Sequence, residues 1–427
     1  METIKYIDTG VNWLGKIPST WESKRIKMLT RVKRGASPRP IDNPNYFDEE
    51  GEFAWVRIAD VTASERYLEN TTQRLSELGS SLSVKRYPDD FFLSIAGTVG
   101  KPIITKIKCC IHDGFVYFPD LKINPEFLYY IFSTGLPYLG LGKMGTQLNL
   151  NTDTIGDIYI PIPDDKEVEK IVKFLDERTT EIDNVIKKKE KLIECLNEEK
   201  IALIHRLVTK GLSEKVNFKE TQIDWIGEIP EHWDCKRTKM LSRVKRGASP
   251  RPIDNPIYFD YEGEFAWVRI ADLTASERYL YDTTQRLSEL GCSLSVKRYP
   301  NDFFLSIAGT VGKPIITKIK CCIHDGFVYF PDLKINPEFL YYIFSTGLPY
   351  LGLGKMGTQL NLNTDTVGDI YIPLPKENEI DDIVKQLDLQ TGKIDGTIRK
   401  INTEIDLIKE YRTSLINEVV TGKITLN

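Results

Sequence analysis

One displacement runs through this chain. The stretch RVKRGASPRPIDNP at residues 31–44 returns unchanged at residues 243–256, 212 positions later. The same offset aligns DTGVNWLGKIPSTW (8–21) with ETQIDWIGEIPEHW (220–233), and EFAWVRIAD (52–60) with 264–272. It also carries residues 91–154 onto residues 303–366 without a change. Between 31–162 and 243–374 only about nine positions differ. Two near-copies must fold alike, each around its own core, so whatever one block folds into the chain contains twice.

The segments behind the blocks, 166–211 and 378–423, match poorly, yet both keep one pattern. Stepping 4-3-4-3 from Val168 meets Leu175, Ile182, Ile186, Ile193 and Leu196; the same steps from Ile380 meet Leu387, Ile394, Ile398, Ile405 and Ile408. That is a coiled-coil seam held for about six heptads, with charge on the other faces. Pro163 and Pro375 precede the two runs, and Gly211 and Gly422 close them. Each run predicts a rod of roughly 60 Å. A narrow seam needs a partner helix, and the other rod is the nearest candidate. Equivalent halves pack most readily about a pseudo-two-fold axis, which sets the rods antiparallel. The expected segments are an arm and first globular block at 1–163, a spacer helix at 164–211, a second arm and block at 212–375, and a second helix at 376–427.

Within a block, turn residues alternate with aromatic and β-branched runs. EFAWVRIADV, DFFLSIAG, KPIITKIKCCI and GFVYFPDL read as strands, and NPEFLYYIFSTGL as a short helix with Pro125 in its first turn. The fold class is α+β: two globular domains separated by two long antiparallel helices, with a pseudo-two-fold internal repeat.

Composition excludes several classes. No apolar run approaches the roughly 18 residues of a membrane span, and the N-terminus shows no secretory pattern. Seven cysteines, two adjacent pairs among them and no CxxC, fit a reduced, cytoplasmic protein. A net charge of −4 argues against a generally basic nucleic-acid binder, so any DNA-binding face must be local.

Catalytic patterns are missing. DNPNYF (42–47) lacks the second proline of the adenine-methyltransferase motif and reads as a turn. CCIHDG (109–114) reads as a strand entering a turn rather than a metal site. Neither a Walker loop nor HExxH occurs. We therefore expect no catalytic and no metal residues.

Contact chemistry remains. Seven cations fall between Lys24 and Arg39, with no acid before Asp42, and Gly35 and Pro38 bend the run into a loop. Backbone amides near Gly35, with Lys33, Arg34, Ser37 and Arg39, suit phosphate or a guanine edge; Lys245, Arg246, Ser249 and Arg251 repeat them. The competing reading is a solubilising loop. In GKMGTQLNLNT (142–152), Lys143, Thr146, Gln147 and Asn149 suit phosphate and adenine, and Lys355, Thr358, Gln359 and Asn361 repeat them; the competing reading is a polar loop before the next strand. In GTVGK, Lys101 and Lys313 follow small residues that admit close backbone approach. Arg57 and Arg269 sit on the WVRIAD strand, projecting to a groove or pairing with Asp60 and Asp272.

GVNWLGKIPSTW, RGASPRP…YFDEEGEFAWVRIADVT, GKMGTQLNLNTDTIGDIYIPIP and the closing LINEVVTGKI together resemble the specificity subunit of Type I restriction-modification systems. The helix starts PDDKEVEKI and PKENEIDDI depart from the family in lacking its glutamate-glutamine pair. The resemblance implies two target-recognition domains, each reading half of a bipartite DNA target, and helices that set the spacer and dock two modification subunits. It implies no cofactor on this chain; S-adenosylmethionine, ATP and Mg belong to partner modification and restriction subunits, and the methylated atom is adenine N6. Family members usually carry two different recognition domains. Here the copies imply an interrupted palindrome. Of the differences, Asn45/Ile257, Glu49/Tyr261, Glu69/Tyr281 and Asn70/Asp282 are read as the only ones that alter a surface. The alternative is a duplicated protein-binding scaffold that touches no DNA.

Overall fold

The computed structural model describes residues 5–141, 150–213, 215–353 and 362–426. The chain forms two compact units, one of residues 1–189 and 403–427, the other of residues 190–402. Each holds one globular block and parts of both long helices.

In the first unit a hairpin of Tyr6–Asp8 and Lys16–Pro18 leads to the strand Glu22–Arg25, which pairs antiparallel with Tyr159–Ile162 and so ties the start of the block to its end. Between them lie two sheets. The larger runs in the order Lys33–Arg34, Phe115–Tyr117, Phe91–Ser94, Pro102–Thr105, Tyr67–Leu68. The smaller runs Gln73–Leu75, Phe53–Val56, Cys109–Ile111, Val84–Arg86. Successive strand side chains point to opposite faces, which explains the uninterrupted apolar sequence of Phe91–Ser94. Phe92 faces the space between the sheets with Ala54, Val56 and Cys109; Phe91 and Leu93 face the helix Pro125–Ser133 and the long helices. Both faces are covered, so no polar alternation survives. Cys109 and Cys110 divide in the same way, Cys109 between the sheets and Cys110 against Phe53 and Trp55. Among the described residues all seven cysteines are free thiols.

Two expected strands are revised. KPIITKIKCCI is two strands, Pro102–Thr105 and Cys109–Ile111, in different sheets, because Lys106 to Lys108 turn the chain. EFAWVRIADV is a strand only over Phe53–Val56; a helix, Ile58–Ala63, follows at once, started by the Asp60 carboxylate accepting the Arg57 amide at 2.9 Å. The helix Pro125–Ser133 lies where NPEFLYYIFS places it, capped by the Asn124 side chain.

The long helices span Asp165–Lys210 and Glu377–Val420, 46 and 44 residues, about 69 and 66 Å. Gly211 and Gly422 end them with φ of +71° and +69°, a region costly for any residue with a Cβ. Every position on the 4-3-4-3 rows is buried or half-buried, Leu175 and Leu387 completely; Ile182, Ile193, Leu196, Ile394, Ile398 and Ile408 are half-buried, Ile186 and Ile405 buried. Within the first unit the helix segments run antiparallel. Asp183 takes a two-pronged bond from Arg412 at 2.9 and 3.1 Å, and six residues on Lys189 meets Glu404 at 2.5 Å. Val168, Ile171 and Leu175 share one core with Leu415, Ile416 and Val419. Within the second unit Lys200 holds both oxygens of Asp395, at 2.7 and 2.8 Å, while Ile204 and Leu207 share a core with Ile380, Ile383 and Leu387. Higher numbers on one helix again meet lower numbers on the other.

The second block repeats the first strand for strand.

Candidate nucleic-acid interface

The basic run at 24–39 is not one loop. Lys24 and Arg25 lie on the strand Glu22–Arg25, and Lys27 in the short helix Ile26–Leu29. Asp157 pairs with Arg25 at 3.3 Å and with Lys27 at 2.6 Å. Arg25 and Lys27 thus face an acid from the far end of the block, which the linear sequence places 130 or more residues away, while Lys24 pairs with Glu22. Lys33 and Arg34 form an edge strand, Arg34 opposite Val116. Only the stretch from Gly35 onward is irregular.

The amides expected to meet phosphate are engaged within the block. The Gly35 amide donates to the Phe115 carbonyl at 2.9 Å and the Ala36 amide to the Ile111 carbonyl at 3.1 Å. Glycine is required at 35 because a Cβ there would lie 2.2 Å from the His112 carbonyl oxygen. What remains to face outward is side chain. Lys33, Arg34 and Arg39 are exposed, Arg39 by 73 % of its side chain.

One acid organises the two arginines. Asp113, at the turn after the strand Cys109–Ile111, accepts the Ser37 hydroxyl at 2.9 Å on one oxygen and Arg39 at 3.0 Å on the other, while its backbone carbonyl accepts Arg34 Nε. The second block repeats this with Ser249 at 2.8 Å and Arg251 at 2.9 Å on Asp325, and Arg246 Nε on its carbonyl. Burial alone would raise the Asp113 carboxyl; the Ser37 bond, its own backbone and the Arg39 and Arg34 charges outweigh that and hold it below the usual carboxylate range. Asp113 therefore stays ionised and pre-orders the two arginines. Three exposed cations against one acid leave each rim positive on an acidic protein, with further guanidinium donors that meet no partner among the described residues.

His112 completes the turn as a neutral acceptor. Its Nδ1 takes the Gly114 amide at 2.8 Å, and burial pushes its pKa down. CCIHDG is thus a strand and a turn, and among the described residues no three metal-binding side chains converge.

Arg57 and Arg269 are corrected from strand residues to helix N-caps. The Arg57 guanidinium lies 3.4 Å from Asp60 and donates to Thr72; Arg269 repeats this with Asp272 and Thr284. Of the two readings open from the sequence, the structure has the ion pair. Lys101 turns inward and donates to the Thr62 and Ser64 carbonyls at 3.1 and 2.5 Å, closing the end of the helix Ile58–Ala63; burial lowers its pKa. Lys313 does the same at Thr274 and Ser276. Lys143, Thr146, Gln147, Asn149, Lys355, Thr358, Gln359 and Asn361 lie outside the described residues. Just beyond, Asn151 caps the helix Thr152–Gly156 through two amides at 2.9 Å.

The differences between the copies include one more surface position than the sequence reading allows. Asp89, 72 % exposed and paired with Lys106 at 2.7 Å, becomes Asn301, whose Oδ1 meets Lys318 at 2.8 Å. A positive φ of 71° and 75° at this site explains why both residues are of the Asp/Asn type. The expected four are exposed as well, with Ile257, Tyr261 and Tyr281 standing out into solvent by 58, 93 and 67 %.

Sequence comparison places these features among known proteins. The family model described as the Type I restriction modification DNA specificity domain matches residues 18–194 and again 230–406. The Type I restriction enzyme MjaVIII specificity subunit of Methanocaldococcus jannaschii is 25% identical over 96% of this chain and 94% of its own length. The putative MjaX specificity subunit of the same organism is 28% identical over 96% and 95%. The Escherichia coli EcoBI specificity subunit is 21% identical over 98% and 89%. Among solved structures, a chain from work on the assembly and conformational transition of the type I R-M system superposes with a TM-score of 0.69 at 17% identity, covering 96% of this chain and 99% of that one, which supports the fold.

Proposed function

This chain belongs to the Type I restriction-modification DNA specificity family, and from that premise we propose how its two blocks read DNA. It is a specificity subunit with two recognition domains. It contributes no catalysis of its own; methyl transfer and cleavage belong to the modification and restriction subunits with which it assembles. S-adenosylmethionine, ATP and Mg are held by those partners. The complex works in the cytoplasm, where a DNA-reading assembly meets its target. Among the described residues no helix is long and apolar enough to cross a membrane.

The observation that carries the reading is the duplicated rim. Lys33, Arg34, Ser37 and Arg39 recur as Lys245, Arg246, Ser249 and Arg251, and one turn aspartate in each block holds the serine and both arginines. Fixed guanidinium forks with exposed outer edges suit phosphate and guanine. Because the copies present the same contact residues, both read the same bases, and the target is an interrupted palindrome. Lys101, Lys313, Arg57 and Arg269 shape the domain from within and reach DNA only if their present partners are exchanged. The 142–149 and 354–361 segments supply the adenine-type contacts.

The test uses the full chain co-produced with its modification subunits and offered a mixture of genomic fragments. Retention of a sequence-defined subset, weakening steeply with salt, is the expected outcome. A chain that captures protein partners but retains all fragments equally would support the scaffold alternative.

A further inference from the structure

At the junction of each block with the helix that follows it sits one half-buried arginine. Arg66 precedes the edge strand Tyr67–Leu68 and is 15% exposed. Its guanidinium lies 5.1, 5.1 and 4.9 Å from the ring centres of Tyr67, Tyr129 and Tyr130. It ion-pairs with Glu126 on the helix Pro125–Ser133, and at 2.5 Å with Asp176 on the first long helix. The tyrosines close the ring of bonds: Tyr130 donates to Asp176 at 2.6 Å and Tyr67 to Glu126 at 2.8 Å. In the second block Arg278 sits among Tyr279, Tyr341 and Tyr342 at 5.1, 5.2 and 4.7 Å, paired with Glu338 and Asp388.

Apolar packing would hold a block against its helix without specifying direction. A half-buried guanidinium whose planar terminal nitrogens meet two carboxylates, with three ring faces around it, restricts the junction to a narrow range of angles. Burying such a group brings little net stability, so its placement at the block–helix junction in both halves points to orientation as its role.

We propose that Arg66 and Arg278 are positioning residues that fix the angle at which each recognition domain stands on its long helix, and thereby set how strictly the subunit measures the gap between half-sites. This rests on the DNA-reading function above. Loosening both clamps lets each domain rock on its helix, so half-sites at a neighbouring gap become reachable. The base contacts lie on other side chains and keep their preference.

The experiment compares the full chain with its Arg66→Ala/Arg278→Ala and Arg66→Lys/Arg278→Lys variants, each assembled with the modification subunits. Each complex acts on a plasmid library in which the half-sites of the wild-type motif stand at the native gap or one or two base pairs to either side. Methylation is read by long-read sequencing. Wild type is expected to methylate one gap. The alanine pair is expected to methylate neighbouring gaps, with discrimination lowered at least about tenfold and half-site bases unchanged; the lysine pair, which keeps the charge and loses the fork, falls between. A folded alanine pair with wild-type gap preference overturns the proposal, as does a uniform loss of methylation at every gap with undiminished discrimination. Should the alanine pair fail to fold, an unbroadened gap in the lysine pair overturns it instead. If the DNA-reading function itself is wrong, wild type leaves no bipartite pattern at all.

Discussion

Replacing Arg34, Arg39, Arg246 and Arg251 together by alanine is expected to weaken DNA binding on the order of 100-fold or more near physiological salt, and to reduce the slope of log K against log salt by about 4. Each removed cation forfeits one phosphate or guanine contact and the counterion release that accompanies it. The fold should survive. Arg39 is 73% exposed and its pair with Asp113, at 3.0 Å, is of the surface kind worth less than about 1 kcal/mol. Among the described residues the Arg34 side chain bonds only the Asp113 carbonyl, and it is exposed. Titration of labelled duplex at several salt concentrations, with a thermal melt as control, reads both parts. Unchanged affinity and slope in a folded variant would show that the rim is only a solubilising surface.

The second large effect is on stability. Leu175→Ala and Leu387→Ala should each cost about 3 kcal/mol, measured by urea denaturation of the full chain. Both side chains are completely buried. Leu175 packs in a core that joins the first block to both long helices, among Ile171, Leu415 and Ile416, and Leu387 sits in the corresponding core of the second unit with Ile383 and Leu207. Truncation leaves a cavity that rigid helices cannot close. The two residues belong to different units and share no partner, so their costs should add. Val185, on the same helix as Leu175 but off the seam and 44% exposed, supplies the contrast: Val185→Ala should stay within about 0.5 kcal/mol. A Val185→Ala loss as large as that of Leu175→Ala would mean the seam is misplaced.

What the sequence made legible follows from the range of the interactions. The long helices could be read because a seam repeats every few residues and needs no knowledge of its partner. The helix Pro125–Ser133 could be read because Asn124 and Pro125 start it locally. The duplication carried the organisation, since it needs no structural reasoning to see. The rim was read in composition but not in shape. Its acids, Asp113 and Asp157, arrive from 74 or more residues away in sequence, so Arg25 and Lys27 looked free when both pair with Asp157; Lys24 meets Glu22 instead, two residues before it. Asp113 drew attention only as a possible metal ligand beside His112; its service to Ser37 and Arg39 depends on sheet pairing between Lys33–Arg34 and Phe115–Tyr117, which no local pattern announces. Arg57 looked like a strand residue because Trp55 and Val56 before it are one, and the Asp60 cap three residues on was the signal for a helix start. The Arg66 cluster escaped altogether. Its partners lie 60 and 110 residues downstream, and nothing in SERYL distinguishes that arginine from a solvated one.

The palindrome is the claim on which the functional account turns. Two blocks differing at about nine of their positions, with the same ordered arginines, should demand the same bases. The direct measurement is a base-resolution map of N6-methyladenine in DNA from cells carrying this chain and its modification subunits. The account predicts one bipartite motif whose second half is the inverse complement of its first, across a fixed gap. A motif with two unrelated half-sites would contradict it.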